Sequence, residues 1–233
     1  MIVAAAQIKV QDGNIGANMA IHCQYANMAA DKGASIVLFP EMSLTGYLRE
    51  EAQQHKFAVG DVRLQPLQQI ADERNIIIVS GAPIEIGKQL HIGAFIIQPD
   101  NKVDIYTKRF LHPGEEVAFE PSLAHNPTLQ LDGETISIAI CADTANPRHP
   151  MEAAANNATL YIAGVFDSPN GVTESHERLS RYAKQYKMKV LYTNFVGTTY
   201  NSPAAGQSAA WNNEGELLQV LTTDKEDLLV IEL

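Results

Sequence analysis

The sequence predicts an α/β protein with mixed sheets. Short apolar segments typical of buried strands alternate with segments of helical periodicity in both halves of the chain, an order that favours βα units. Between the halves, three strand-like segments are separated only by Gly87-Lys88 and Pro99-Asp100-Asn101, and such short connections indicate antiparallel hairpins. We therefore expect parallel and antiparallel pairs in one sheet. At this length, residues 1–233 are expected to form a single domain.

The first half of the chain is predicted to contain strand-and-helix pairs followed by the hairpin strands. Residues 2–7 have a short apolar run without the basic leader of a signal peptide, so we expect a first strand there. Helical spacing then continues to Gly33, and a second helical stretch places Leu64, Leu67 and Ile70 on one face. The predicted strands are 2–7, 35–39, 76–79, 82–86, 90–97 and 102–106, and the predicted helices are 18–31 and 63–74.

The second half begins with a predicted strand that has large apolar side chains on one face. Ile136, Ile138 and Ile140 alternate with small residues, and the strand ends on Cys141, beyond which the backbone must turn. Thr173 is predicted to cap a helix, because acidic residues follow it and lysines lie near the helix end. The remaining predicted elements are helix 150–158, strand 159–166, the helix from 173, and strands 190–195, 208–211, 216–221 and 228–233.

Composition excludes several classes of function. Lys and Arg total 17 against 27 Asp and Glu, so with a net charge of −10 and no basic run we expect neither nucleic acid nor a membrane as partner. No apolar run reaches the roughly 18 residues that a membrane helix needs. The two cysteines form no C-x-x-C pair, which is typical of a reducing compartment and predicts a cytoplasmic protein. The seven histidines form no metal motif, and we expect no cofactor.

Three chemically capable residues stand at the ends of predicted strands. Cys141 ends one strand, Glu41 follows another after Pro40, and Lys108 follows the last hairpin strand. Each residue taken singly also has a purely structural explanation: Cys141 as a buried core thiol, Glu41 as an acid on a surface loop, and Lys108 as a solvent-exposed strand end. A cysteine that acts as a nucleophile needs a base and a nearby cation, because a free thiol is mostly protonated at neutral pH. The three residue types together therefore suit covalent catalysis.

The segments around these residues resemble the nitrilase superfamily of carbon–nitrogen hydrolases. The resemblance covers essentially the whole chain and rests on Leu-Phe-Pro-Glu-Met-Ser-Leu-Thr-Gly-Tyr (38–47), Tyr-Thr-Lys-Arg-Phe-Leu (106–111) and Ile-Ala-Ile-Cys-Ala-Asp (138–143). It implies a four-layer α-β-β-α sandwich with mixed sheets. It also implies a homodimer paired across a helical layer. Because the chain stops at its last strand, without the extension that many members use across the dimer, we expect weaker pairing.

The resemblance implies a role for each catalytic candidate. Glu41 would be the general base, Lys108 the cationic catalytic residue and Cys141 the nucleophile. Glu115, seven residues after the lysine, would orient Lys108 and help to position the substrate.

Three further residues are expected to meet the substrate. The Ala142 N–H and Lys108 would stabilise the oxyanion of a tetrahedral intermediate. Tyr47 and Phe166 lie on predicted loops that should edge the pocket.

The acid two places after the cysteine is Asp143, which resembles amidase and carbamoyl-hydrolase branches more than nitrile-cleaving ones, where glutamate is usual. We therefore predict a cofactor-independent hydrolase that cleaves a small linear amide through a cysteine thioester. N-carbamoyl compounds rank second as substrates, and nitriles rank third. Acyl transfer to an amine would use the same residues, and a non-catalytic binding or scaffold member of the fold is the alternative from another class.

Overall fold

Two sheets packed face to face form the centre of the fold. In the computed structural model, which describes residues 1–233, one sheet has seven strands and the other six, and a short hairpin forms a separate pair. The strands are β1 (Ile2–Gln7), β2 (Ile36–Leu38), β3 (Phe57–Ala58), β4 (Ile77–Ile86), β5 (Gln89–Gln98), β6 (Lys102–Thr107), β7 (Leu129–Leu131), β8 (Glu134–Ile140), β9 (Leu160–Gly164), β10 (Lys189–Thr193), β11 (Thr198–Thr199), β12 (Ser202–Pro203), β13 (Ala209–Trp211), β14 (Leu217–Val220) and β15 (Asp227–Glu232).

Helices cover the outer faces of both sheets. The α-helices are α1 (Ile15–Asp31), α2 (Ala52–His55), α3 (Gln65–Arg74), α4 (Ala142–Ala145), α5 (Arg148–Ala155) and α6 (Val172–Tyr186), and two 3₁₀ turns lie at Val62–Leu64 and Glu115–Val117. None of the helices combines the length and the apolar character needed to cross a membrane.

Both sheets mix parallel and antiparallel pairs, as predicted. The first has the order β15-β1-β2-β4-β5-β6, with β3 beside β4, and the second has the order β14-β13-β10-β9-β8-β7. Parallel pairs occupy the centre of each sheet, where β1, β2 and β4 lie together and β8, β9 and β10 lie together. The hairpin strands β5 and β6 add antiparallel pairs at one edge.

Three apolar cores separate the layers. On β1, Val3 and Ala5 face the second sheet, whereas Ala4 and Ala6 face α1 and α3, because successive side chains of a strand point to opposite faces. The isoleucines of β8 enter the core between the sheets, and Ala139 faces the layer of α5 and α6. The order of layers is therefore helices, sheet, sheet, helices, which confirms the four-layer α-β-β-α sandwich.

Some predicted boundaries were wrong. Residues 76–79 and 82–86, predicted as two strands, belong to the single strand β4, since the backbone stays paired with β5 through Ser80 and Gly81. Thr173 does not cap a helix: α6 starts at Val172, after Gly171. A turn in which the N–H groups of Gly171 and Val172 both donate to the Ser168 carbonyl begins the helix earlier. Six short elements, β3, β7, β11, β12, α2 and α4, were not predicted, because segments of two to four residues carry too little periodicity.

Candidate active site

The turn after β2 carries Glu41 into the interior. Pro40 ends the strand, and Met42 has a positive φ of 51°. Two glycines, one on β4 and one on β9 of the facing sheet, make room for this turn: a Cβ on Gly81 would lie 2.4 Å from the Met42 nitrogen, and one on Gly164 would lie 2.7 Å from the Phe39 carbonyl oxygen. Since real Cβ atoms do not approach backbone so closely, both positions require glycine. The Glu41 side chain is consequently buried at the strand ends.

Lys108, at the end of β6, lies between two buried carboxylates. Its Nζ donates to Glu41 Oε1 and to Glu115 Oε1, at 2.7 Å in each case. Glu115 also accepts from the Tyr47 hydroxyl at 2.5 Å and from the His112 N–H at 2.7 Å. Three donors thus fix the Glu115 carboxylate, and one of them is the ammonium group of Lys108.

Cys141 stands on a strained turn between β8 and α4. Its backbone has φ 43° and ψ −101°, a combination that costs a residue with a Cβ about 1–3 kcal/mol. The Cys141 N–H donates to the Gly164 carbonyl at 3.1 Å, which ties the turn to β9. Ala142 occupies the first position of α4, where the N–H has no acceptor within the helix. A sharp strand-to-helix turn of this kind presents a side chain at the edge of the sheets beside free N–H donors.

The thiol interacts with Glu41. A side-chain hydrogen bond with Cys141 is one of the influences that lower the Glu41 pKa. The second carboxylate oxygen, Oε2, is buried and lacks a hydrogen-bond partner of good geometry, so it is free to approach a proton donor. Cys141 is half-buried, and its sulfur lies 3.9 Å from the Phe166 carbonyl oxygen. Acid, ammonium and thiol therefore share one site.

Burial dominates the electrostatics of this site. It raises the pKa of Glu41 to about 7, against the opposing attraction of Lys108, and the charge of Glu115 raises it further. Burial and then the charge of Glu41 raise the pKa of the Cys141 thiol well above its usual range. Burial disfavours the charged Lys108, but the negative charges around it outweigh burial and raise its pKa. At neutral pH the site thus holds a thiol, an ammonium and a carboxyl group that can gain or lose a proton.

Asp143 connects the cysteine turn with the lysine strand. Its Oδ1 accepts the N–H groups of Arg109 and Phe110, both at 2.9 Å. Its Oδ2 accepts the Ile140 N–H at 3.0 Å and the Tyr106 hydroxyl at 2.6 Å. Four donors on one buried carboxylate hold the end of β8 against the end of β6. From the sequence, Asp143 was interpreted only as typical of the amidase-like branch; its role in joining the two strand ends depends on the fold.

A directional hydrogen-bond chain supports Asp143. Tyr106 donates to the carboxylate, so its oxygen accepts from His149 Nε2 at 2.9 Å, and His149 Nδ1 accepts from the Tyr161 hydroxyl at 2.8 Å. Burial lowers the pKa of His149, which favours the neutral ring that this order of donors requires.

An open pocket of about 370 Å³ reaches the cysteine. Tyr47 and Phe166 line it, with ring centroids 5.2 Å apart, and Tyr200 of the β11–β12 hairpin lines it too. Cys141 is the one catalytic candidate on the pocket wall, whereas Glu41, Lys108 and Glu115 lie behind it with at most 1% of their surface exposed.

The structure brings the predicted site residues together. Tyr47 and Phe166 line the pocket, and Ala142 lies beside the cysteine, where its N–H rather than its side chain is available. Two charged residues of the pocket, Arg49 and Asp167, were not predicted. Neither follows a recognised motif, and only the packing of distant loops places them beside Cys141.

A four-layer α-β-β-α sandwich with an acid, a lysine and a cysteine at one edge of its sheets has the architecture of the nitrilase superfamily. A sequence model of the family described as carbon–nitrogen hydrolase matches residues 2–233, and the chain belongs to this family.

Solved structures and characterised relatives agree with this membership. The amidase from Nesterenkonia sp. AN1 has a TM-score of 0.89 and 25% sequence identity, covering 100% of this chain and 92% of that chain. A cysteine-to-alanine variant of that amidase in complex with butyramide is equally similar, with a TM-score of 0.89 and 25% identity, covering 100% of this chain and 90% of that one.

Characterised relatives of two kinds match the chain. A nitrilase of Pyrococcus abyssi is 24% identical over 212 residues, covering 88% of this chain and 79% of the relative. A glutamine-dependent NAD(+) synthetase of Thermotoga maritima is 22% identical over 249 residues, covering 99% of this chain and 42% of the relative. The chain thus spans about two fifths of the length of that synthetase.

Proposed function

We propose that this protein hydrolyses the carbon–nitrogen bond of a small linear amide through a thioester on Cys141. The observation that carries the proposal is Lys108 held 2.7 Å from both Glu41 and Glu115, directly behind a cysteine that opens onto the pocket. Covalent catalysis by a thiol needs a base, a cation and oxyanion donors around the sulfur, and these residues supply all three.

In the first step the Cys141 sulfur attacks the amide carbon and Glu41 accepts the thiol proton. Because the thiol pKa is raised by burial, the proton leaves during the attack rather than before it. Lys108 and the Ala142 N–H stabilise the resulting oxyanion, and the loss of one such donor typically costs about 3–4 kcal/mol. Glu41 then protonates the nitrogen, the C–N bond breaks, and ammonia or an amine leaves.

In the second step water hydrolyses the thioester. Glu41, again ionised, accepts a proton from the water as its oxygen attacks the acyl carbon, and then returns that proton to the departing sulfur. The products are a carboxylic acid and the free thiol. A carboxyl pKa of about 7 suits a group that must accept and donate a proton in the same cycle at neutral pH.

Glu115 is proposed as a positioning residue for Lys108, and Tyr47 for Glu115. The hydroxyl of Tyr47 and the ammonium of Lys108 bind the same oxygen, Glu115 Oε1, so the aromatic ring on the pocket wall is coupled to the buried cation. Phe166 contributes an apolar wall and a carbonyl near the sulfur. Tyr47, Phe166 and the Ala142 N–H are the proposed contacts to the substrate.

Amides are favoured as substrates because the similar Nesterenkonia structure is an amidase with bound butyramide. Glutamine, which appears in the name of the synthetase relatives, is also a primary amide and belongs among the candidates. N-carbamoyl compounds and nitriles rank below amides, and a scaffold role would not require acid, base and thiol in one buried site. A cytoplasmic location and a homodimer stay predictions.

The decisive experiment measures ammonia release from propionamide, butyramide, an N-carbamoyl amino acid and butyronitrile. Cys141→Ala should abolish release, whereas Cys23→Ala, which removes the other half-buried cysteine, should retain it. Iodoacetamide should alkylate Cys141, and butyramide should slow that reaction. Activity that survives in Cys141→Ala, or no ammonia from any compound, would overturn the proposal.

A further inference from the structure

Two charged side chains on the pocket wall have no part in the catalytic steps. Asp167 and Arg49 both line the cavity that reaches Cys141. Asp167 lies three residues beyond the end of β9, and Arg49 lies two residues after Tyr47. Both are held in place by neighbouring side chains, so they act as fixed charges of opposite sign.

Asp167 is anchored close to the reacting sulfur. Its Oδ2 accepts the Tyr192 hydroxyl at 2.8 Å, and its backbone N–H and C=O are both bound by the Asn194 side chain at 3.0 Å. The residue before it, Phe166, carries the carbonyl that lies 3.9 Å from the Cys141 sulfur. Burial and Glu41 raise the thiol pKa most, and Asp167 adds to that rise. A carboxylate that opposes thiolate formation is a disadvantage to the reaction unless it binds something cationic.

Arg49 lines the same cavity and has a donor group without an acceptor. Its Nη2 donates to the Tyr200 hydroxyl at 2.7 Å, and its guanidinium carbon lies 4.6 Å from the centroid of the Tyr200 ring. Its Nε is buried and has no hydrogen-bond acceptor. A planar guanidinium with free N–H groups is well suited to a carboxylate, and a buried donor without a partner is costly until one arrives.

We propose that the preferred substrate is a zwitterionic amide, whose ammonium group faces Asp167 and whose carboxylate faces Arg49. This inference rests on the proposed amide hydrolysis. The chemical class is a small amino acid with its primary amide on the side chain, since the α-amino and α-carboxylate groups then remain free for the two wall residues. Amides with one charge would satisfy only one of these side chains, and neutral amides would satisfy neither.

Four compounds that differ by single groups test the proposal. Glutamine has both charges, glutaramate lacks the ammonium, 4-aminobutanamide lacks the carboxylate, and butyramide lacks both. We expect kcat/KM to be highest for glutamine, intermediate for the singly charged amides and lowest for butyramide, with each matched charge contributing roughly tenfold or more. The series uses the unaltered protein and therefore does not depend on the folding of a variant.

Two substitutions assign the charges to residues. Asp167→Asn should reduce the preference for 4-aminobutanamide over butyramide at least tenfold, mainly through KM, and should retain the preference for glutaramate. Arg49→Gln should reduce the preference for glutaramate over butyramide at least tenfold and should retain the preference for 4-aminobutanamide. Asp132→Asn, which removes an exposed carboxylate far along the chain, is the matched control and should alter neither ratio.

The outcomes separate the two proposals. Butyramide hydrolysed as well as glutamine, or preference ratios that neither variant changes, would overturn the zwitterion inference while amide hydrolysis stands. The absence of ammonia from all four compounds, together with none from the wider panel, would overturn amide hydrolysis and this inference with it.

Discussion

The carboxylate of Asp143 accepts the backbone N–H of Arg109 at 2.9 Å. This hydrogen bond joins the turn that presents Cys141 to the strand end that presents Lys108, although the two segments belong to different sheets. Cys141 lies two residues before Asp143, and Lys108 lies next to Arg109. The distance between sulfur and ammonium is therefore controlled by a residue that contacts neither.

Asp143→Asn should impair both activity and stability. An amide has one acceptor oxygen and one donor nitrogen, so two of the four buried donors would lose their acceptor. We expect the free energy of unfolding to fall by about 2–4 kcal/mol, because an unpaired buried donor costs about 1–3 kcal/mol. A displacement of about 1 Å at the site should lower kcat about a hundredfold. Urea unfolding and ammonia release measure the two effects.

Asp132→Asn provides the comparison, since the Asp132 carboxylate is exposed and accepts only the Ser35 hydroxyl. Equal effects of the two substitutions would show that Asp143 has no special role in positioning.

Replacing Lys108 should destabilise the fold as well as stop the reaction. Lys108→Met would leave Glu41 and Glu115 buried together without a cation, and removal of one partner from a buried ion pair typically costs about 3–5 kcal/mol. The loss of folding stability should be smaller at pH 5 than at pH 8, because Glu41 is protonated at the lower pH and a neutral carboxyl group needs no counter-charge.

Lys102→Met is the matched control for this substitution. Lys102 forms an exposed ion pair with Asp104 at 3.2 Å, and exposed pairs contribute at most about 1 kcal/mol. Chemical denaturation at both pH values measures the difference. A Lys108 variant as stable as the control at pH 8 would contradict the ion-pair account.

The pH profile should report the ionisation of Glu41. The carboxylate must be ionised to accept the thiol proton, so kcat/KM should fall as the pH decreases through about 7, where the raised pKa of Glu41 lies. The negative charge of Glu115 is one cause of that rise. In Glu115→Gln the decrease of kcat/KM on the acidic side of the pH profile should therefore occur at lower pH, however much the maximal rate falls. A decrease that stays in place or moves to higher pH would disprove this coupling.

The backbone at Cys141 predicts an unusual order of stabilities. With φ 43° and ψ −101°, the position is strained for any residue that has a Cβ, but not for glycine. Cys141→Gly should therefore be more stable than Cys141→Ala by about 1 kcal/mol. At Ala139, within β8, the substitution to glycine should be destabilising as usual. Thermal unfolding of the variants, compared at one pH, tests the assignment. A glycine variant at 141 that is less stable than the alanine variant would refute it.

Most of the architecture could be predicted from local patterns. The alternation of Ile136, Ile138 and Ile140 predicted β8, and short connections predicted the hairpins, because strand periodicity and turn sterics act over a few residues. The layer order came from the family resemblance rather than from the patterns. Thr173 was wrongly placed as a cap, since a turn at Ser168 starts α6 earlier.

The sequence by itself determined which residues could perform the chemistry: a carboxylate, a lysine and a thiol, each following an apolar strand. Only the tertiary structure decided what surrounds them. The contacts of Lys108 with two carboxylates, the four donors on Asp143, and the opposite charges of Arg49 and Asp167 join segments far apart in the chain. Such contacts depend on how two sheets pack face to face, and no local periodicity encodes that packing.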